Sequence, residues 1–471
     1  FGVKDSGFSF FLLPFYNLVL GVDASTVGAA LAAALVIDAL VDPLIGHLSD
    51  RTYTKWGRRL PWLYLAPWPL ALVWTMLWSP PFTGTPGFWD IVALAVGVRL
   101  LLSACEVPSV SLVPEITDDY DDRTTLFRYR FLSGWLGGLL MMVLTFTVFL
   151  PTPQSQLQPE GYASYGLFGA ALIALSVIGS AAAQHRIVAQ LPERRPPPFS
   201  ITGAFAEIFD AFREKAFVIF ALGGLAAYVL QGMTFSITQY VNLYVWQFSE
   251  LAFQLYPAVL FLSVVLMFVI VGPLHRRWGK PKSAALGALV GLAFYCSPYV
   301  FYLAGAWPTV GTTASTALLY GFLVCANTAS VVAIISATSM VAEIVEAFEE
   351  RTGQRAEGTF YAGNWLVQKC ATGGGILLTS LIVQSIDLAP GTPQAEVAPE
   401  TVRQLVWLFM LAATVLASIA AFWLARFPIS REQHEARVAA RRGRPAPPAP
   451  ATADPLDQAV RADPDAHTIT P

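Results

Sequence analysis

The chain has 471 residues, of which 55% are hydrophobic and 13% charged, with a mean hydropathy of +0.55. A soluble domain carries about 25% charged residues, so this composition excludes an ordinary soluble globular protein. The formal net charge of −3 offers no bulk basicity for nucleic acid.

The apolar residues come in blocks long enough for membrane helices, which need roughly 20 mostly apolar residues each. In chain order they cover about 1–22, 24–48, 61–81, 88–112, 129–150, 163–189, 216–246, 253–273, 283–304, 314–342, 357–385 and 402–426. Twelve spans are therefore expected, with boundaries good to about four residues. Cys105, Cys296, Cys325 and Cys370 all fall inside these blocks. They are too scattered for a metal site and too deep for a disulfide framework, and read as packing residues. The chain opens at Phe1 rather than Met, with no cleavable signal pattern, so residues are expected to precede it.

The loops alternate in charge. Those after the second, sixth, eighth and twelfth spans carry Lys or Arg clusters, at Arg51 to Arg59, Arg186 to Arg195, Arg276 to Lys282, and Arg426 onward. The loops after the odd-numbered spans contain neither residue. Short basic loops stay in the cytoplasm, so both termini are expected there. "RIVAQLPERRPPPFS" interrupts the hydropathy after the sixth span and reads as a linker. The expected organisation is a six-helix half over 1–189, a cytoplasmic linker over 190–215, a second half over 216–427 and a tail over 428–471. That tail is rich in Pro, Ala and Asp and is expected to be disordered. "GHLSDRTYTKWGRRLPW" after the second span has a weak echo in "GPLHRRWGKPK" after the eighth, as in repeat-built transporters.

Several charged residues lie at membrane depth. Each costs about 3 kcal/mol by insertion scales, so each must face a polar cavity, pair or reach an interface. Asp38 and Asp42 stand at i and i+4 on one helix face, followed at once by Pro43. Two such carboxylates can share a proton or chelate a hard cation. Glu106 sits in "LLSACEVPSVSLVPEI" with Ser103 one turn earlier. Lys369 stands alone in "FYAGNWLVQKCATGGGILLTS" and needs a carboxylate, with Asp38, Asp42 and Glu106 as candidates. The bland alternatives are structural ion pairs for the acids, a helix-end pair for Lys4 and Asp5, and an interfacial anchor for Arg130. Three deep acids against one lysine weigh against pure structural pairing. The glycine run in "GGGILLTS" reads as close helix packing rather than a nucleotide cradle.

Four stretches, "FGVKD", "DALVDPLIGHLSDRTYTKWGRRLPW", "CEVPSVSLVPEITDDYDDRTTLFRYRF" and "AEIVEAFEERTGQRAEGTFYAGNWLVQK", occur in an order that resembles the glycoside–pentoside–hexuronide:cation symporters. These are a branch of the major facilitator superfamily whose best-known member is melibiose permease. The resemblance spans nearly all of 1–427 and implies an all-α membrane protein with the major facilitator fold. It implies a coupling-cation site of Asp38, Asp42, Glu106 and Ser103, for Na+, Li+ or H+. It implies solute contacts by Asp5, Glu106 and Arg130, with Lys4 and Lys369 beside the site. Asp50, Arg51, Arg58 and Arg59 would form inter-helix ion pairs that close the cytoplasmic side. There are departures. The span-four acid is Glu106 instead of Asp. The galactoside-contacting tryptophans fall on Val110 and Ile334, while Trp365 stands four residues before Lys369 and could replace them.

The expectation is thus a cation-coupled symporter of a sugar, glycoside or similar solute, in a bacterial inner membrane. The expected partners are the solute, the coupling cation and membrane lipid, with no nucleic acid and no cofactor. The alternative is a lysolipid or other amphipathic cargo, which more apolar Val110 and Ile334 would suit. Six lysines against 23 arginines suggest a GC-rich bacterial genome and favour the sugar. A sensor would carry a signalling domain, and no catalytic constellation suggests an enzyme.

Overall fold

A chain whose surroundings are hydrocarbon must satisfy its backbone polar groups internally, which long helices do. The computed structural model describes residues 2–117, 119–191, 206, 208–353, 356–386, 388–393 and 396–428; most of the linker and almost all of the tail expected above lie outside them. Among the described residues there is no strand, and nine helices are long and apolar enough to cross a membrane.

The first rod, α1, joins Gly2–Ser6, a π turn at Gly7–Phe11, Leu12–Pro14 and a second π turn at Phe15–Val19. Next come α2 (Ala24–Asp50), α3 (Leu60–Leu65 and Pro67–Trp78) and α4 (Phe88–Ser111). Then follow α5 (Tyr120–Leu144, continued by a π turn at Thr145–Phe149) and α6 (Pro159–Val188). The later chain holds α7 (Lys215–Tyr240, continued by a π turn at Val241–Val245) and α8 (Glu250–Leu303). It ends in α9 (Thr313–Thr352), α10 (Glu357–Ser385) and α11 (Pro399–Leu424). The expected spans 253–273 and 283–304 both fall within α8. That helix breaks at Gly279, whose φ of 73° and ψ of 169° are non-helical; a glycine adopts this backbone without a Cβ penalty.

A structural echo joins the early and late chain. The π turn ending α1 is followed by Leu20 N–H donating to Phe15 O (3.1 Å) and Val22 N–H to Tyr16 O (3.0 Å). The π turn after α7 is followed by Trp246 N–H donating to Val241 O and Phe248 N–H to Asn242 O, both 2.9 Å. Left-handed residues sit at matching positions, Gly21 (φ 74°) and Gln247 (φ 49°).

Residues 1–428 form one compact unit. Near these π turns the early and late helices meet. Tyr240 Oη donates to Asn17 Oδ1 (2.9 Å), Gln239 Nε2 donates to Gln156 Oε1, and the Phe10 and Phe235 rings stack at 4.8 Å. The Phe146 and Phe253 rings stack at 5.3 Å. Helix α10 packs against both α2 and α7 through small residues. A Cβ added to Gly375 would lie 2.2 Å from Val229 O, and one added to Gly28 would lie 2.0 Å from Ser380 Oγ. Ser236 Oγ donates to Thr379 Oγ1 at 2.7 Å in the same seam. Small residues that let backbones approach are the usual means of helix association in membranes. Large apolar side chains such as Phe268, Leu175 and Trp89 point outward, as a hydrocarbon surrounding allows.

Candidate functional site

The charged residues at membrane depth gather where α1, α2, α4 and α10 adjoin. Helix α4 presents Arg99, Ser103 and Glu106 at i, i+4 and i+7, on one face. Helix α2 presents Asp38 and Asp42 one turn apart. Ser103 Oγ lies 2.9 Å from Asp38 Oδ1 and 2.7 Å from Asp42 Oδ1. A serine hydroxyl has one proton, so it serves one carboxylate at a time. The other two oxygens face Lys369 from α10: its Nζ is 2.8 Å from Asp38 Oδ2 and also bonds Asp42 Oδ2. Of the three acids the sequence offered Lys369, the structure brings it to two.

Glu106 goes elsewhere. Both its oxygens accept from Lys4 Nζ, at 3.0 Å each. The Lys4–Asp5 separation is longer, 3.8 Å, and the Asp5 side chain is 53% exposed. The structure therefore divides the expected set of three carboxylates into an Asp38–Asp42 pair and a separate Glu106–Lys4 pair. Among the described residues no group of three or more His, Cys, Asp or Glu side chains is arranged to hold a metal ion. Arg130 donates to Ser109 Oγ at 2.7 Å, one turn beyond Glu106 on α4. Trp365, on α10 with Lys369, is 52% exposed.

One member of the cluster was not anticipated. Arg99 is 9% exposed, its guanidinium lies 5.0 Å from the centre of the Phe8 ring, and its Nε is 3.4 Å from Asp38 Oδ2. The signal was present: a lone arginine in "ALAVGVRLLLSAC", on the same face as Ser103 and Glu106. Together with Lys4 on Glu106, Arg99 brings the deep bases level with the three deep acids, so the charge count no longer weighs against structural pairing. Lys4, Arg99, Arg130 and Lys369 formally balance Asp5, Asp38, Asp42 and Glu106.

The residues proposed for the cytoplasmic gate lie at the far end of α2. Arg59 pairs with Asp50 at 2.6 Å and with Glu115 at 2.8 Å, and Arg58 pairs with Glu115 at 2.8 Å. Arg59 also donates to Ser49 Oγ at 3.3 Å. Arg51 is exposed and bonds His47 Nε2 at 2.6 Å. Glu115, in the short helix Val113–Ile116 after α4, joins the two arginines. The sequence reading passed over it because it sits between the apolar block and the mixed charges that follow.

Residues 1–431 match the MFS/sugar transport protein family. The chain belongs to this family. Its relatives carry the symporter branch that the motifs resemble. An uncharacterized symporter of Synechocystis sp. is 28% identical over 504 aligned residues, covering 90% of this chain and 91% of the relative. The isoprimeverose transporter of Lactiplantibacillus pentosus is 33% identical over 139 residues, 29% of each chain. The same fold occurs in a crystal structure of a bacterial homologue of the human lysosomal transporter Spinster. It is 14% identical with a TM-score of 0.63, covering 91% of this chain and 98% of the other. The chain is thus a helical multi-pass membrane protein of a family of transporters.

Proposed function

We propose that the chain is a cation-coupled symporter of a sugar, glycoside or sugar-like solute, working by alternating access. The observation that carries this reading is the ionic cluster at membrane depth. There Lys369, late in the chain, bonds Asp38 and Asp42, early in it. Charges that cost this much in a bilayer are retained for ion and solute pathways. Relatives named as an isoprimeverose transporter and a putative glycoside/cation symporter of Escherichia coli support a sugar-like cargo.

In this reading the chain crosses the membrane twelve times, with α1, α3 and both arms of α8 counted as spans, in two six-helix halves. Both termini face the cytoplasm of a bacterial cell, on the side of the basic loops. The cation (Na+, Li+ or H+) exchanges with Lys369 at the Asp38–Asp42–Ser103 cluster. Solute binds beside it, against Asp5, Glu106, Arg130 and Trp365. Lys4 holds Glu106 until solute hydroxyls compete for it. Because Glu106 and Ser103 lie on one face of α4, each ligand changes the setting of the other. Such coupling is reciprocal: the cation tightens solute by the factor by which solute tightens the cation. The pairs of Arg58 and Arg59 with Asp50 and Glu115 brace the cytoplasmic ends of α2 and α4. Transport makes and breaks no covalent bond.

The test is uptake and counterflow of a glycoside panel in proteoliposomes, under imposed Na+, Li+ and proton gradients, with Asp42→Asn as control. The expected result is uptake of at least one glycoside driven by one of these cations and lost in Asp42→Asn. Glycoside counterflow that ignores all three cations refutes the coupling. A panel with no transported member refutes the cargo class.

A further inference from the structure

Asp38 and Asp42 look equivalent in sequence, one turn apart on one helix face. The structure makes them unequal. Asp38 is 2% exposed and has two cations beside Oδ2, Lys369 at 2.8 Å and Arg99 at 3.4 Å. Asp42 has Lys369 alone, and its side chain is 26% exposed.

The two bases also differ in freedom. Lys369 has a flexible stem and a side chain 24% exposed, so it can leave for water. Arg99 is enclosed, with its guanidinium against the Phe8 ring, a contact that favours a cation. Its Nε makes no hydrogen bond; at 3.4 Å from Asp38 Oδ2 it is an ion-pair partner rather than a geometric donor. A buried guanidinium is effectively always charged. A positive charge that cannot leave and cannot be neutralised acts on its neighbour as a resident cation does.

Local charge follows. Asp38 and Asp42 supply two formal negative charges, and Arg99 and Lys369 supply two positive ones. With Lys369 in place, an added alkali ion would leave one uncompensated positive charge in a low-dielectric setting, which is costly. With Lys369 displaced, the ion is balanced, but only one of the two carboxylates is free of a fixed cation.

We infer that Arg99 is a built-in counter-ion for Asp38, which removes that carboxylate from cation binding and leaves Asp42 as the one at which the coupling ion exchanges with Lys369. This rests on the symporter reading and deepens it. Arg99 thereby sets how strongly, and through which aspartate, the cluster holds an alkali ion. Taking away its charge turns a one-carboxylate site into a two-carboxylate site of Asp38, Asp42 and Ser103, three oxygen-bearing groups suited to a hard cation.

The experiment measures binding of radioactive sodium to the purified full chain in detergent, together with the Na+-induced shift in melting temperature, so that no transport is needed. Two neutral variants, Arg99→Gln and Arg99→Met, are compared with wild type, with Arg99→Lys, and with Arg99→Gln carrying Asp38→Asn. The expected result is Na+ affinity at least about tenfold tighter in the neutral variants. Arg99→Lys shows no such gain, and the Asp38→Asn second change abolishes it. A wild type too weak to read against a measurable neutral variant is the same gain. The inference is overturned if a neutral variant that elutes and fluoresces like wild type binds Na+ no more tightly. It is equally overturned if Arg99→Lys also gains, or if the gain survives Asp38→Asn. Glycoside counterflow without gradients, run on wild type, separates the two readings. Its absence sinks the proposed cargo and leaves the sodium result standing on its own.

Discussion

Replacing Lys369 by Met, a side chain of similar length without charge, removes the ammonium that faces both aspartates. Taking one partner from a fully buried ion pair costs about 3–5 kcal/mol, because the other charge is stranded. Two features reduce the figure here. Asp38 retains Ser103 at 2.9 Å and Arg99 at 3.4 Å, and the Asp42 side chain is 26% exposed, so water reaches it. The expected loss is therefore about 2–3 kcal/mol, below the fully buried case. Its origin is separable by second changes that restore formal neutrality. Lys369→Met with Asp42→Asn removes the carboxylate left without a cation and should recover at least half of the loss. Lys369→Met with Asp38→Asn removes Arg99's partner as well, strands the guanidinium, and should recover less. The assay is thermal unfolding of the detergent-solubilised protein followed through its 13 tryptophans, with all variants in one buffer. Equal recovery by the two double variants, or a single variant as stable as wild type, would refute the reasoning.

Two further outcomes are expected. Gly28→Ala places a Cβ 2.0 Å from Ser380 Oγ and 2.4 Å from Ser380 Cβ; a rotamer change moves the first atom but not the second, so the helices must part, at a cost of about 1–3 kcal/mol. Adding Ser380→Gly removes both atoms and should restore most of the melting temperature. Gln247→Gly should raise stability by about 0.5–1 kcal/mol, the relief of a left-handed non-glycine residue less glycine's added chain entropy; an unchanged or lower unfolding midpoint in a chemical denaturant counts against it.

Much of the site was legible because cost in hydrocarbon is a strong filter. The i, i+4 pair of Asp38 and Asp42, the serine one turn before Glu106 and the solitary Lys369 all stood out against apolar surroundings, and all meet in space. Lys4 was harder. Its sequence neighbour Asp5 suggested a helix-end pair, and that pair is present at 3.8 Å, but the ammonium sits closer to Glu106 on α4, at 3.0 Å from both oxygens. Arg99 was passed over although it stands as isolated among apolar residues as Lys369 does. Which base meets which acid depends on helix rotation, and periodicity is silent on rotation when every face of a helix is apolar. The π turns of α1, α5 and α7 were likewise unreadable, since a single extra residue in a turn leaves no compositional mark. Fold class fared better than boundaries: the apolar blocks marked the helices, while α8 ran through two of them and α1 and α3 were interrupted.

The balance of four acids by four bases has an electrical consequence. In a membrane field each uncompensated elementary charge that crosses is worth about 2.3 kcal/mol per 100 mV. A formally neutral cluster that is translated as a rigid body does no net work against that field. Such a displacement is electrically silent, and only a turn of the cluster, a separation of its charges, or an ion that binds or departs can make it sense voltage.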